Sequence, residues 1–218
     1  MKNYLFNLGK KAKKALKEDV DSRKKNQVLK DYCKLLLTHK KRIIYENNKD
    51  VKIAKKRKLR ENLLKRLLIN EKKIFEIILS IKNIIKLKDP VNQVLNKSKR
   101  PNGLNIEQRT TSIGVIAVIY ESRPNVTCDV ACLCFKSGNP VILKGGSEAY
   151  YSNKIFTNLF RKALKKNKQN IDHVQFIEIK NRKIVDILLT QMMGFIDVII
   201  PRGGKSLVKK IQKFSKIP

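Results

Sequence analysis

From Ile113 to the end of the chain, short runs of β-branched residues alternate with segments of helical periodicity. Strands that each lead into a helix are typical of a parallel sheet, because parallel strands need long crossover connections. The predicted strands cover residues 113–119, 141–144, 174–179 and 196–200, and the predicted helices cover 126–136, 147–166, 183–191 and 205–214. This pattern predicts an α/β fold with a Rossmann-type parallel sheet.

The first 87 residues show helical periodicity instead. Leucine, isoleucine and valine recur at steps of three and four residues between lysines, which predicts amphipathic helices. Asp21 and Ser22 are suitable N-caps for the second of these helices, and Asp89 and Pro90 end the helical region. We therefore predict three segments: a helical region over 1–95, a linker or hairpin over 96–111, and a partial Rossmann-like domain over 112–218.

The chain is strongly basic, with 50 Lys and Arg against 18 Asp and Glu and a net charge of +32. Such a charge attracts polyanions, and the basic segment 52–68 would suit a nucleic acid or an anionic membrane surface. However, the excess is mostly lysine, it is spread over nearly the whole chain, and it accompanies many isoleucines and asparagines. All three residue types have codons rich in A and T. We therefore attribute the excess of lysine on solvated helix faces to codon drift, and we expect no nucleic-acid partner.

The four cysteines, Cys33, Cys128, Cys132 and Cys134, form no CxxC pair. The chain has only two histidines, and neither has the spacing of a zinc site, so we expect no metal. Three of the cysteines crowd one apolar stretch, which indicates buried free thiols in a reducing compartment. No apolar run has the length of a secretion signal or a membrane span, so we expect a cytoplasmic protein.

Ligands of an open parallel sheet bind beyond the carboxyl ends of the strands, so the loops there form the candidate site. The loop after the second strand contains one lysine, two glycines, a serine and a glutamate: Lys144, Gly145, Gly146, Ser147 and Glu148. The lysine can bind a ribose or its phosphate, and the glycines permit conformations that other residues disfavour. The serine can cap the next helix, whose N-terminus attracts anions. This loop therefore predicts a phosphorylated or hydroxylated ligand.

The loop after the fourth strand repeats this chemistry with Pro201, Arg202, Gly203, Gly204 and Lys205. A glycine-rich turn with cations at the start of a helix suits a pyrophosphate. Neither loop matches the GxGxxG fingerprint or the P-loop, so the common dinucleotide and NTPase motifs are absent. Two such loops at corresponding strand ends of one sheet nevertheless favour a phosphate-bearing ligand.

Three long segments carry a family resemblance. Residues 112–127, which include the run Tyr-Glu-Ser-Arg-Pro-Asn, closely resemble a signature of γ-glutamyl phosphate reductases, a branch of the aldehyde dehydrogenase superfamily. The match continues through residues 133–149 and again through 196–205. Weaker similarity is found at residues 8–12, 24–26, 47–50 and 89–91. The resemblance thus spans essentially the whole chain, and the matching segments occur in the same order as in the first half of the family's sequences.

The resemblance implies an aldehyde-dehydrogenase-like fold and the NADPH-dependent reduction of γ-glutamyl phosphate to glutamate 5-semialdehyde, in proline biosynthesis. It implies that Lys144 binds the cofactor ribose, that Ser147 and Glu148 lie near the adenosine end, and that residues 202–205 hold the pyrophosphate. For Asn125 two roles stay open, because loop lengths differ among aldehyde dehydrogenases. The residue is either close to the reacting carbonyl or simply holds the turn.

The resemblance also implies a thioester on a cysteine nucleophile, which makes acyl transfer stepwise. That cysteine belongs to a later domain of the family, and none of the four cysteines of this chain matches its motif; Cys134 matches only a structural position on a helix. We therefore expect an incomplete sheet and no turnover by the chain alone.

Three interpretations of the whole chain stay open. The first is the cofactor-binding half of a reductase that is completed by further sequence, by a separate catalytic chain or within a homo-oligomer. The second is a decayed remnant without catalysis. The third is a basic binding module for nucleic acid or an anionic surface, whose binding would weaken steeply with added salt.

Overall fold

Five helices and a hairpin precede an alternating α/β segment. The computed structural model describes all residues, 1–218. The helices are α1 (Lys2–Leu16), α2 (Ser22–Thr38), α3 (Lys40–Lys56), α4 (Glu61–Leu67), α5 (Glu71–Lys86), α6 (Pro124–Lys136), α7 (Tyr150–Lys166), α8 (Lys183–Gln191) and α9 (Lys205–Phe214). The strands are β1 (Val94–Lys99), β2 (Asn105–Arg109), β3 (Ile116–Tyr120), β4 (Val141–Gly145), β5 (Val174–Phe176) and β6 (Val198–Arg202). The predicted α/β class, with its helical N-terminal region, is confirmed.

The main sheet has four parallel strands in the order β5-β4-β3-β6. The chain moves outward from β3 through β4 to β5 and then returns to place β6 on the other side of β3. The strand order therefore reverses between β3 and β6, and ligands of open α/β sheets bind at such a reversal. Every residue of β3 and β4 is buried, which explains why these strands read as unbroken apolar runs.

Helices cover both faces of this sheet. On one face, α2, α5, α6 and α7 bury a core that includes Tyr32, Phe135 and Phe160. On the other face, α1 packs with α8 and α9 around Leu5 and Leu188. The N-terminal helices are thus divided between the two cores and share each of them with the sheet segment. The three-segment division stays a prediction.

Two polar side chains of α3 hold the start of α7 in place. The carboxylate of Asp50 accepts hydrogen bonds from the backbone N–H groups of Tyr151 and Ser152, at 3.1 and 2.8 Å, and from the Ser152 hydroxyl at 2.7 Å. Asn47 donates to Ser152 Oγ at 2.9 Å and to the carbonyl oxygen of Leu67 at 2.8 Å. These contacts satisfy donors that the first turn of a helix leaves free. They also place α4 and α7 at the same end of the sheet.

The hairpin of β1 and β2 is antiparallel, and all of its side chains are exposed. It lies within and just before the segment predicted as a linker or hairpin. At the edge of the main sheet, β6 exposes Ile200.

Candidate functional site

A cavity of about 620 Å³ opens at the carboxyl ends of β3 and β4. We call it the Lys144 cavity. Residues that follow β3, β4 and β5 line it, together with the start of α9 and the residues before and within α4. The strand register explains this arrangement, because Tyr120 pairs with both Gly145 and Arg202. Strands β3, β4 and β6 therefore end at one level, and the loops that follow them surround one space.

Lys144 supplies a desolvated cation to this cavity. The residue is 7% exposed, and its Nζ donates a hydrogen bond to the Gly145 carbonyl oxygen at 2.9 Å. Burial lowers the pKa of the Lys144 ammonium, and the nearby Glu148 carboxylate opposes that shift. A lysine ammonium has three donors, and the Gly145 carbonyl oxygen is the only protein acceptor that Lys144 Nζ contacts. Lys144 can therefore donate to the oxygens of a bound ligand.

Glu148 joins the loop after β4 to the loop after β3. Its Oε1 accepts hydrogen bonds from the Ser122 backbone N–H and from Ser122 Oγ, both at 2.7 Å. A Cβ atom on Gly146 would lie 2.1 Å from the same Oε1. The missing side chain of Gly146 is thus what allows Glu148 to turn back across the loop.

The loop after β6 is held by a carboxylate from the loop after β3. The Gly204 N–H, at the N-cap of α9, donates to Glu121 Oε2 at 3.0 Å. A Cβ atom on Gly203 would lie 2.9 Å from that same oxygen. The Gly204 N–H belongs to the loop that the resemblance assigns to a pyrophosphate, and it already donates to Glu121. An anion bound at this loop would therefore lie close to the Glu121 carboxylate.

A second cavity, of about 410 Å³, lies between the ends of β3 and β6 and beside α4. We call it the arginine cavity because its cations are all arginines: Arg60, Arg66, Arg123 and Arg202. Its only carboxylate is Glu121, and its only apolar side chain is Leu63. Glu121, Leu63, Arg60, Ser122 and Gly204 line both cavities, so the two spaces are neighbours with a shared wall.

The structure brings together most of the residues that the sequence singled out. Lys144, Gly145, Gly146, Ser147, Glu148 and Gly204 line the Lys144 cavity, and Arg202, Gly203 and Gly204 line the arginine cavity. Pro201 and Lys205 line neither. Asn125 also lies outside both cavities, and its Nδ2 donates to Asp129 Oδ2 at 3.2 Å within α6. This contact is compatible with a residue that holds the turn.

Sequence reasoning missed several basic residues of the site: Arg60, Arg66, Lys180, Arg182 and Lys210. The first two lie in the basic segment 52–68, whose sequence pattern predicts an amphipathic helix with lysines on its solvent-exposed face. One signal was present, because Arg60 and Arg66 are arginines in a chain that uses lysine far more often.

The four thiols are unsuited to nucleophilic chemistry. All of them are buried and free. Burial raises the pKa of Cys33 to about 11 and that of Cys134 to about 12, and it raises the pKa values of Cys128 and Cys132 well above the ordinary thiol value. The thiolate is the nucleophilic form, so none of the four is poised to attack an acyl group.

No group of three or more histidine, cysteine, aspartate or glutamate side chains is arranged to hold a metal ion. None of the helices combines the length and apolar character needed to cross a membrane.

Comparison with known proteins identifies relatives of the whole chain. No protein-family model matches it. The chain is 41% identical over 219 residues to the γ-glutamyl phosphate reductase of Sulfurihydrogenibium sp. (strain YO3AOP1), an alignment that covers 100% of this chain and 49% of that protein. The crystal structure of γ-glutamyl phosphate reductase from Thermotoga maritima superimposes with a TM-score of 0.95 at 36% identity, covering 98% of this chain and 52% of that one.

A more distant structure shows the breadth of the fold. A probable aldehyde dehydrogenase from Listeria monocytogenes superimposes with a TM-score of 0.75 at 15% identity, and this likeness covers 99% of this chain and 45% of that one. The sheet and its helices are therefore those of aldehyde dehydrogenases. The chain spans about half the length of the curated relatives it matches. By sequence and by fold, this protein is a homologue of γ-glutamyl phosphate reductases over about half of their length.

Proposed function

We propose that this chain is the cofactor-binding half of an NADPH-dependent γ-glutamyl phosphate reductase, which forms glutamate 5-semialdehyde in proline biosynthesis. The observation that carries the proposal is the buried Lys144 ammonium, which lies at the carboxyl end of β4 with two donors free and faces a cavity of about 620 Å³. Such a cavity has the size of an ordinary cofactor site. The similarity to γ-glutamyl phosphate reductases supports the same reaction.

The residues of the Lys144 cavity fit a dinucleotide phosphate. Lys144 would donate to the ribose, and the loop of Gly145 and Gly146 lets the ligand approach the backbone. The cavity has four cations without an ion pair, Arg60, Lys144, Lys180 and Arg182, and a fifth, Lys210, that is paired with Asp186 at 2.6 Å, against the two carboxylates Glu121 and Glu148. This excess favours a ligand with several phosphates, and hence NADPH over NADH. When bound, the cofactor supplies a hydride.

Catalysis requires a nucleophile that this chain does not provide, because its thiols are buried with raised pKa values. We therefore propose that a further segment, either a continuation of this chain or a separate catalytic chain, completes the enzyme. Free buried thiols are typical of proteins kept in a reducing compartment, and we propose a cytoplasmic location.

A chimaera tests this function directly. We would join this chain to the part of the Thermotoga maritima relative that it does not cover and supply glutamate 5-semialdehyde, phosphate and NADP⁺. The expected result is NADPH formation that requires all three, with no turnover by this chain alone. A chimaera that folds and binds NADP⁺ but forms no NADPH would contradict the proposed reaction. The matched control is the same chimaera with Lys144→Met.

A further inference from the structure

Asp129 carries a half-buried carboxylate that no cation of the chain neutralises. Its Oδ1 accepts a hydrogen bond from Ser80 Oγ, and its Oδ2 accepts one from Asn125 Nδ2, both at 3.2 Å. These two neutral side chains are its only donors, although the chain has 50 Lys and Arg against 18 Asp and Glu. A carboxylate has about four acceptor positions. Asp129 therefore keeps acceptor capacity that the protein itself does not use.

The other carboxylates that are removed from solvent are better compensated. Eight Asp and Glu side chains are not exposed: Asp31, Glu46, Asp50, Asp89, Asp129, Glu148, Asp172 and Asp197. Five of them pair with a lysine or an arginine. Asp50 and Glu148 lack a cation but accept backbone N–H groups at 2.7–3.1 Å. Only Asp129 has neither, so the packing of the fold does not explain why this position carries a charge.

The position of Asp129 places this carboxylate near the strand ends. Helix α6 begins at Pro124, shortly after the end of β3. Asn125 and Asp129 lie one turn apart on the same face of α6, and Ser80 approaches Asp129 from α5. Burial raises the pKa of the Asp129 carboxyl, whereas its two hydrogen bonds and the charge of Arg202, at the end of β6, oppose that shift. Asp129 is therefore within electrostatic reach of the candidate site.

A cation is the ligand that suits this carboxylate, and one reactant of the proposed function carries a suitable cation. NADPH and phosphate are anions, which a carboxylate repels. The amino-acid end of γ-glutamyl phosphate has an ammonium group, whose N–H donors form charge-assisted hydrogen bonds with a carboxylate. Ser80 Oγ and Asn125 Oδ1 can accept further N–H groups of the same ammonium. A divalent metal ion needs more oxygen ligands than these three side chains offer.

Resting on the proposed function, we infer that Asp129 binds the α-ammonium group of the acyl-phosphate substrate and so selects an amino acid over an analogue without the amino group. The carbonyl carbon and the ammonium nitrogen of this substrate are four bonds apart, about 5 Å in an extended chain. One helical turn spans about the same distance. A substrate whose ammonium lies at Asp129 therefore places its carbonyl near Asn125, which is one of the two roles that the sequence leaves open for that residue.

The test uses the chimaera described above and two aldehydes, glutamate 5-semialdehyde and 5-oxopentanoate, its analogue without the amino group. We expect the parent chimaera to prefer the amino-acid aldehyde by about 100-fold in kcat/KM, because a site built for a charged hydrogen bond rejects a ligand that lacks it. Asp129→Asn keeps the side-chain shape, and its amide can still bond with Ser80 and Asn125. This variant should lower the preference at least about tenfold, with an unchanged unfolding temperature.

Two further variants separate recognition from structure. Ser80→Ala removes a hydrogen bond between α5 and α6 but leaves the Asp129 charge in place, so it should keep the preference within about threefold. Asp19→Asn is the matched control for charge, because Asp19 is exposed and removes the same charge. We expect its preference to equal that of the parent. A preference lost equally in Ser80→Ala and Asp129→Asn would show that Asp129 only ties α5 to α6.

The remaining outcomes distinguish this inference from the proposed function. The inference fails if the parent chimaera has no preference between the two aldehydes, or if Asp129→Asn lowers kcat/KM for both by the same factor. A higher KM for NADP⁺ in Asp129→Asn, with the aldehyde preference intact, would assign the carboxylate to the cofactor and would also overturn the inference. A parent chimaera that folds and binds NADP⁺ but turns over neither aldehyde would refute the proposed function, and the inference with it.

Discussion

Replacing Lys144 with methionine should weaken NADPH binding by roughly 10- to 100-fold, which corresponds to the 1.5–3 kcal/mol of a hydrogen bond to a charged group. Methionine keeps most of the aliphatic volume of this buried side chain, so the fold should survive. The loss arises because the ammonium is largely desolvated and has donors left for the ligand. The dissociation constant from NADPH fluorescence, measured beside the unfolding temperature, checks this prediction.

Lys162→Met is the matched control for this experiment. Lys162 lies exposed on α7 and lines neither cavity, so its removal changes the net charge by the same amount. We expect its NADPH affinity to stay within about twofold of the parent chain, since long-range attraction between exposed charges is screened by salt. Equal effects of the two substitutions would show that the +32 charge, and not the Lys144 cavity, attracts the nucleotide.

Gly145→Ala should destabilise the protein by about 3 kcal/mol and lower its unfolding temperature by roughly 6–10 °C. A Cβ atom at this position would lie 2.1 Å from Asn153 Nδ2 and 3.1 Å from the Tyr120 ring. Neither side chain can easily yield. Both are buried, and each contacts Thr127 Oγ1, Tyr120 through its hydroxyl at 2.7 Å and Asn153 through its Oδ1 at 2.9 Å. The substitution therefore forces a shift of buried side chains that are hydrogen-bonded to one another.

Gly194→Ala provides the comparison, because a Cβ atom there would meet nothing within 4 Å. We expect this variant to change the stability by less than about 0.5 kcal/mol. Urea and thermal unfolding of the two variants measure the difference. Similar unfolding curves for both would mean that the space around Gly145 relaxes freely, and that the glycine is not required for packing.

The sheet was predictable from the sequence because each of its strands is a short β-branched run followed by a helical pattern. Strand β3 begins at Ile116 and not at Ile113, because Gly114 has a φ of +133° that does not belong to a strand. Strand β5 ends at Phe176, three residues earlier than its apolar run. These differences concern element ends, where a pattern gives the least information.

The site was predictable in part, and the limit was distance along the chain. Lys144 and Arg202 lie at the carboxyl ends of β4 and β6, so the rule for parallel sheets located them. Arg60 and Arg66 lie far upstream, just before and within α4, and no local pattern shows that α4 lies near the ends of β3 and β6. In the same way, Glu121 reads as part of a turn, whereas its carboxylate accepts the Gly204 N–H. Only the tertiary structure reveals these contacts.

A specific cofactor site in the Lys144 cavity can be tested by an NADPH titration of the chain from about 50 mM to about 200 mM salt. We predict saturable binding of one NADPH per chain whose affinity falls by less than about tenfold over this range. Absence of saturable binding, or binding that is lost at about 200 mM salt as expected for attraction to a diffuse basic surface, would contradict this prediction.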